Sequence, residues 1–468
     1  MKNPYQRVGP EAFWKHAVAS HSPFEIGGLW TPKYPVTPAM PIVTAGSCFA
    51  QHIGKALAAR GYAWHNAETA PPMLDEETAR RFNHGIFSFR TGNIYTTRML
   101  RQWLEQAHGE AEPMWEAWED GKGRVFDPLR PTIEPGGFAS EDEMRAAREV
   151  TYGAIRRAVQ TAGVFIFTLG LTESWANAAT GQEYASCPGT SAGSYDPEAH
   201  VFVNHRVDAI QADLEAALAI LNRANPDLKV LLTVSPVPLT ATASGQHVLT
   251  ATSYSKSVLR AVAGMAAQDH DWVDYFPSYE IITAPPYRGM FFEPNQRSVT
   301  AHGVDFVMRN FFADQAAAFG KEIARESRAR EAARQGCRSA GGGQERRRGL
   351  RGGDAQCLRL TGSAFTATAI SARSSARSMR GCCRSWKVDW RSGARRARRF
   401  GGFGSRAVAS CPTRRRSRPL PRCAAMGRKP WGPAISTPSC STPRGCASAT
   451  WCWRCSATRP PMAWFRRR

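Results

Sequence analysis

Three short apolar runs, each followed by a helical pattern, limit the possible folds of this sequence more than any other feature. They are residues 41–45 (PIVTA), 164–169 (VFIFTL) and 229–234 (KVLLTV). Runs this short and this apolar are typical of strands that are buried on both faces. Their alternation with helices predicts a parallel sheet covered by helices on both sides. We therefore expect an α/β fold with three layers, α/β/α.

Helical patterns lie between and after these runs. Phe49, Ile53 and Leu57 are spaced four residues apart and predict a helix directly after the first strand. Ser140 and Glu143 form a capping box, which predicts the start of a helix that ends near residue 162. Further helices are predicted at about residues 207–223, 253–268 and 303–330, with another strand at 272–276.

The composition changes abruptly near residue 334. Residues 335–468 contain 30 Lys and Arg but only 3 Asp and Glu, and they contain no His, Tyr or Asn. The net charge of +22 for the whole chain therefore comes from this segment, whereas residues 1–334 have a small excess of acidic side chains. The charge of residues 1–334 consequently gives no reason to expect a nucleic-acid partner.

We interpret residues 335–468 as a disordered, low-complexity tail or as a GC-rich reading frame translated out of phase. Only two of its basic residues are Lys, whereas an RNA-binding arm would combine Lys with Tyr or Phe for base stacking. Cys452 and Cys455 form one CxxC pair, but a zinc site needs a second pair of ligands. The expected organisation is a folded domain at 1–334 and a tail at 335–468.

The first 334 residues contain only two cysteines, Cys48 and Cys187, so there is no disulfide framework to suggest secretion. The N-terminus lacks the apolar segment of a signal peptide, and no run approaches the 18 apolar residues of a membrane span. We therefore expect a cytoplasmic domain with no membrane partner, no metal and no cofactor.

Polar residues follow the three predicted strands, at 46–48 (GSC), 170–173 (GLTE) and 235–236 (SP). The carboxyl ends of parallel strands meet at one edge of the sheet, where ligands of α/β proteins bind. Ser47 lies in the turn from strand to helix, where backbone N–H groups can hold an oxyanion. A serine in this place more commonly only caps the helix. Position alone therefore leaves both roles of Ser47 open.

The runs 45–50 (AGSCFA), 92–96 (GNIYT) and 168–173 (TLGLTE) resemble the GSCFA domain family. The resemblance covers about residues 40–310 and leaves 1–39 as an N-terminal extension. That family is similar to the SGNH, or GDSL-like, hydrolases, in which four sequence blocks supply a Ser, a Gly, an Asn and a DxxH pair. The resemblance implies a flavodoxin-like sheet and the hydrolysis or transfer of an acyl group such as acetyl. It suggests a small-molecule or carbohydrate ester as the substrate.

Carried over block by block, the resemblance makes Ser47 the nucleophile. It places Gly92 or its neighbour Asn93 as an oxyanion donor. Gly170 and Thr172 fall on the third block, with Thr172 at the position of the family's Asn. A Thr hydroxyl donates a single hydrogen bond and is not fixed in a plane as an amide is. Because one oxyanion donor can contribute about 3 kcal/mol to the transition state, this difference bears on activity.

The last block departs from the pattern, because Asn295 and Ser298 occupy the Asp and His positions. A serine nucleophile without a nearby base is weak at neutral pH. His302 at the start of the final helix is the first replacement that we consider, followed by His247 and His200, although each is also explained as an ordinary helix-end or loop residue. A domain with no base would bind a glycan or acyl ligand without turnover, and this binding module is the alternative function.

Further candidates lie close to these blocks. Cys48 is an alternative nucleophile, since a thiol at a helix N-terminus can have a lowered pKa, although free cysteines are more often buried small residues. Cys187 can face the same cleft, but no CxxC motif supports a metal or redox pair. Glu173 is expected either to orient Thr172 or a histidine, or to be a helix N-terminal acid. Lys256 can contact an anionic substrate or remain solvated. A transferase that uses an acyl-coenzyme A donor is less favoured, because no Gly-rich phosphate loop is present.

Overall fold

The computed structural model describes residues 3–342, and side chains are described as far as residue 328. Most of the predicted tail at 335–468 lies outside the described residues. The strands are β1 (Ile42–Gly46), β2 (Trp118–Glu119), β3 (Val125–Phe126), β4 (Val164–Leu169), β5 (Glu173–Asn177), β6 (Glu183–Tyr184), β7 (His200–Asn204), β8 (Lys229–Val234) and β9 (Val273–Tyr275). The helices are α1 (Ala50–Ala59), α2 (Glu76–Arg81), α3 (Thr97–His108), α4 (Glu141–Thr161), α5 (Val207–Ala224), α6 (Val248–Asp269), α7 (Ser278–Thr283) and α8 (Ala301–Gly342).

The central sheet consists of β1, β4, β8 and β9, which are parallel and hydrogen-bonded in that order. Beside β1, Trp64 adds one parallel bridge to Ile42, and the Ile42 N–H donates to the Ala63 carbonyl oxygen at 2.9 Å. With this bridge counted as a rudimentary strand, the order in the sheet is the 2-1-3-4-5 of flavodoxin-like folds. The predicted α/β class with a parallel sheet is confirmed.

The strands are buried on both faces, which explains why their sequences are apolar throughout. Phe165 and Phe167 of β4 pack in one core with α3, α4, α5 and α6. Val164 and Ile166 of the same strand pack in a second core with α1, α7 and α8. Helices therefore cover the sheet on both sides, as the apolar runs predict.

The predicted N-terminal extension contributes to the second core from residue 30 onward. Trp30, Tyr34 and Val36 are buried there. The Trp30 indole Nε1 also donates to Asp274 Oδ2 at 3.1 Å, which ties this segment to β9. Removal of residues 1–39 would therefore expose part of the core.

A second sheet, with the antiparallel order β6-β5-β7, follows directly after β4. Periodicity does not predict it, because its strands are short and only partly buried. Glu173 consequently begins a strand, and the expectation that it is a helix N-terminal acid is wrong. No helix in the described part of the chain is long and apolar enough to span a membrane.

Candidate functional site

Ser47 lies in the turn between β1 and α1, and Gly46 makes this turn possible. Gly46 has a φ of +127°, and a Cβ at this position would lie 2.4 Å from the Thr168 carbonyl oxygen. The Ser47 N–H donates to the same carbonyl oxygen at 3.0 Å, which holds the turn against β4. The Ser47 side chain is 2% exposed, and its hydroxyl has no hydrogen-bond partner among the described residues. Ser47 therefore does not cap α1 through its side chain.

Ser47 opens into a small cavity of about 80 Å³, here called the Ser47 cleft. Gly170 forms part of its wall, and a Cβ at Gly170 would lie 3.0 Å from Ser47 Cβ. The N–H groups of Gly170 and Leu171 donate to the Tyr95 carbonyl oxygen at 3.1 and 2.9 Å. Three of the segments that the sequence singled out thus meet at the carboxyl end of the sheet. The cleft is lined by Ser47, Cys48, Tyr95, Gly170, Leu171, Arg297 and residues of the loop 235–240.

Lys256 of α6 contacts Gly170 in the wall of the cleft. Its side chain is 1% exposed, and its Nζ donates to the Gly170 carbonyl oxygen at 2.6 Å. Burial lowers the pKa of Lys256 to about 7; Cys48 acts against this shift, and the Arg297 charge acts in the same direction as burial. No carboxylate pairs with Lys256 within the described part of the chain. The expectation that this lysine is a solvated residue is therefore wrong.

Arg297 occupies the place next to the altered DxxH positions. Asn295 and Ser298 bind each other, since Asn295 Nδ2 donates to Ser298 Oγ at 3.0 Å and the Ser298 N–H donates to Asn295 Oδ1 at 2.9 Å. Arg297, between them, lines the Ser47 cleft, and its buried Nε has no partner among the described residues. Arg297 was not predicted from the sequence, because the DxxH pattern places the catalytic histidine at position 298 and assigns no role to its neighbour.

Cys48 lines the same cleft and is half-buried. Burial raises the pKa of its thiol, although Arg297, Lys256 and the N–H groups of Cys48 and Phe49 act in the opposite direction. The net effect favours the neutral thiol at pH 7. The N–H groups of Cys48 and Phe49, in the turn before α1, thus act on a thiol that lines the cleft, and such groups can also stabilise a developing negative charge there.

Thr172 is fully buried, and both of its donors are occupied. Its N–H donates to Ser255 Oγ at 3.0 Å, and its hydroxyl donates to Asn204 Oδ1 at 2.8 Å. Gly92 and Asn93 lie beside the site without lining the Ser47 cleft, and Asn93 Oδ1 is buried with no partner among the described residues. Ser47, Cys48 and Gly170 therefore line the same cleft. The two donors of Thr172 bind Ser255 and Asn204 instead.

The sequence of this domain matches a known protein family. The model of the GSCFA family matches residues 41–311, which is more than half of the chain. The chain belongs to the GSCFA family. Its five-residue signature, residues 46–50, forms the turn that presents Ser47. A search of curated proteins found no match to this GSCFA chain.

The three candidate histidines of this GSCFA domain lie outside the Ser47 cleft. His302 is exposed and packs edge-on against Phe24, with ring centroids 5.7 Å apart, next to the second core. His247 caps α6, since its Nδ1 accepts from the Leu249 N–H at 3.2 Å. His200 Nδ1 accepts a hydrogen bond from the Asp196 N–H at 3.0 Å. Each histidine thus has an ordinary structural role.

A larger cavity of about 400 Å³ shares Tyr95, Leu171, Leu239 and Thr240 with the Ser47 cleft. We call it the aromatic groove, because Trp175, Tyr184 and Phe202 line it. Glu173 and Cys187 lie there as well, and Glu173 accepts a hydrogen bond from the Thr242 hydroxyl at 2.8 Å. Burial raises the pKa of both Glu173 and Cys187. Glu173 therefore contacts Thr242 and not Thr172 or a histidine.

A buried ion network supports the segment that carries Gly92 to Tyr95. Asp127 accepts hydrogen bonds from Arg130 Nε at 2.8 Å and Arg148 Nη2 at 2.5 Å. Burial opposes ionisation of Asp127, but the two guanidinium charges outweigh it and hold the pKa of Asp127 below its usual value. Arg130 Nη1 then donates to the Arg90 carbonyl oxygen at 2.7 Å. In the described part of the chain, no group of three or more His, Cys, Asp or Glu side chains is arranged to hold a metal.

Proposed function

We propose that this GSCFA domain is a serine-dependent ester hydrolase or acyl transferase with Ser47 as its nucleophile. The observation that carries the proposal is the Ser47 hydroxyl, which is buried, faces the cleft and lacks a partner among the described residues. An unsatisfied buried hydroxyl destabilises a fold by about 1–3 kcal/mol, so it is expected where function requires it. Its place at the start of α1 adds the positive end of a helix dipole.

In the proposed reaction, Ser47 Oγ attacks the acyl carbonyl carbon and loses its proton to a base. The carbonyl oxygen becomes an oxyanion, which the N–H groups of Cys48 and Phe49 stabilise. Collapse of this intermediate breaks the ester bond, and the departing alkoxide takes up the proton. Water, or a second alcohol in a transferase, then attacks the acyl group on Ser47 and gives its proton to the base. The bond between the acyl carbon and Ser47 Oγ breaks, Ser47 takes the proton back, and the acid or the new ester leaves.

We propose Lys256 as the base. Its pKa of about 7 means that roughly half of the amine is neutral at neutral pH. Ser–Lys pairs are a known variant of the serine nucleophile and base. Both residues are close to Gly170, since Lys256 Nζ donates to its carbonyl oxygen and a Cβ on Gly170 would lie 3.0 Å from Ser47 Cβ. The Ser47 hydroxyl has no partner among the described residues, so proton transfer to Lys256 requires rotation of a side chain or one bridging water molecule.

The aromatic groove supports a substrate larger than the Ser47 cleft can hold. Its aromatic rings offer apolar faces, while Glu173 and Thr242 offer polar groups beside them. A cavity with apolar walls and a few convergent polar groups is typical of small-molecule sites. We propose that the groove holds the alcohol part of the ester, with a sugar as the preferred class.

A binding module without turnover is the second candidate. It is favoured by two observations: among the described residues no histidine lines the Ser47 cleft, and both donors of Thr172 are occupied. Such a domain would use the groove to recognise a glycan or acyl ligand.

Hydrolysis of p-nitrophenyl acetate by the full chain tests the proposed function. We expect turnover that falls by about 1,000-fold or more in Ser47→Ala, because the covalent step is lost. Ser235→Ala is the matched control, since Ser235 is also a buried serine that lines the cleft, and it should retain activity. Equal activity in Ser47→Ala would rule out the serine mechanism, whereas no turnover in any folded form would favour the binding module.

A further inference from the structure

We propose that the Ser47 cleft binds the carboxylate of an anionic substrate and that Arg297 is the residue that recognises it. This inference deepens the proposed function, on which it rests for the identity of the reacting bond. It predicts an acyl group that carries a carboxylate of its own, such as the acyl group of a dicarboxylic acid monoester.

The first argument is that Arg297 differs from the other arginines of the site region. Arg90, Arg130 and Arg148 each lie within 4.0 Å of a carboxylate oxygen, at 3.7, 2.8 and 2.5 Å respectively. Arg297 forms no ion pair within residues 3–328, and its Nε is buried without a partner there. Arg297 as a whole is half-buried, but a buried donor such as its Nε is unfavourable without an acceptor, and an oxygen of an anionic ligand would supply one.

The second argument is that a second cation lies nearby and is also uncompensated. Lys256 is buried and donates to the Gly170 carbonyl oxygen, with no carboxylate within bonding distance among the described residues. The charge of Arg297 contributes to the lowered pKa of Lys256, after the effect of burial. Arg297, the partly protonated Lys256 and the N-terminus of α1 therefore give one end of the cleft a positive potential at neutral pH.

The third argument is the composition of the walls. No Asp or Glu lines the Ser47 cleft in the described part of the chain. Glu173, in the aromatic groove, is bound to Thr242. The unpartnered Ser47 hydroxyl lies in the same cleft as Arg297, so a ligand held by Arg297 would be close to the nucleophile. The cleft is also small, which places the anionic group on the acyl part of the ester, beside Ser47.

Binding is tested on the full chain carrying Ser47→Ala, which separates binding from turnover. Isothermal titration with succinate should show binding that weakens at least 10-fold on adding Arg297→Gln and recovers in part with Arg297→Lys. Arg309→Gln is the matched control, because Arg309 is an arginine on α8 that pairs with Asp305 and does not line the cleft. The control also accounts for succinate that binds to the basic residues 335–468. Equal affinity in Arg297→Gln and Arg309→Gln, with both variants folded by circular dichroism, would overturn the proposal.

Turnover distinguishes the subsite from the proposed function. The ratio of kcat/KM for mono-p-nitrophenyl succinate to that for p-nitrophenyl acetate should fall at least 10-fold in Arg297→Gln. Succinate binding that depends on Arg297, without turnover of either ester, would support the subsite and refute the hydrolase. Turnover of both esters with an unchanged ratio in Arg297→Gln would refute the subsite and leave the hydrolase intact.

Discussion

Replacing Lys256 with Met is expected to stabilise the fold below pH 7 while it removes activity. In the fold, burial lowers the pKa of Lys256 from 10.5 to about 7. Since each pH unit of this lowering corresponds to about 1.4 kcal/mol, keeping the ammonium charged at pH 6 costs the folded state about 5 kcal/mol. Met has a similar length and no charge, but it loses the hydrogen bond to Gly170, which is worth about 1–2 kcal/mol. The net gain at pH 6 is therefore about 3 kcal/mol.

The sign of the pH dependence follows from proton binding. Between pH 7 and pH 10.5 the unfolded chain holds a proton on Lys256 that the folded chain has released. The stability of the native sequence therefore rises with pH in this window, by about 1.4 kcal/mol per pH unit. Lys256→Met lacks this contribution, so its advantage should shrink between pH 7 and 9 by about 2–3 kcal/mol.

Guanidinium unfolding at pH 6, 7, 8 and 9, followed by tryptophan fluorescence, measures this difference. Lys55→Met is the matched control, because it removes an exposed lysine of α1 and should follow the native sequence at every pH. The reasoning is refuted if Lys256→Met is less stable than the native sequence at pH 6, or if the difference between them is constant from pH 7 to 9.

Three further predictions concern the base, the cleft wall and the buried network. The kcat/KM for p-nitrophenyl acetate should rise with pH around a midpoint near 7, the pKa of Lys256, and a pH profile without such a rise between 6 and 8 would contradict Lys256 as the base. Gly170→Ala should reduce activity by about 100-fold while leaving circular dichroism unchanged, because the added methyl would lie 2.9 Å from the Tyr95 carbonyl oxygen and 3.0 Å from Ser47 Cβ and would displace both locally. Asp127→Asn should lower the free energy of unfolding by about 3–5 kcal/mol in urea, because it removes the carboxylate that Arg148 binds.

Matched control variants distinguish these specific effects from a general loss of folding or stability. Gly121→Ala adds a methyl group where no atom lies within 4 Å, so it should keep full activity, and an equal loss in both glycine variants would remove the argument about the cleft wall. Glu141→Gln breaks an exposed ion pair with Arg145 and should change stability by less than about 1 kcal/mol. His302→Ala should retain activity, and its loss would reinstate His302 as the base.

The strands were the most predictable part of the fold. The apolar runs at 164–169 and 229–234 coincide with β4 and β8, because a strand buried on both faces cannot contain polar residues at alternate positions. The antiparallel sheet of β5, β6 and β7 was not predictable in this way, since its strands are short and their burial depends on neighbours distant in sequence.

Site residues could be predicted from the sequence only where the position of the backbone alone brings them into the site. Ser47 and Gly170 follow buried strands, so the parallel sheet brings them together. Arg297 lies in a loop, where no periodicity predicts the direction of a side chain. Lys256 was missed as a buried residue because lysines are almost never buried without a partner. His302 is close to the altered block in sequence, but it packs against Phe24 beside the second core.

The most direct test of the account is labelling of the full chain with a fluorophosphonate probe, followed by peptide mass mapping. The account predicts a single adduct on Ser47 that is absent in Ser47→Ala and forms more slowly in Lys256→Met. An adduct on Cys48, or none on the folded native chain, would contradict the central claim that Ser47 is an activated nucleophile.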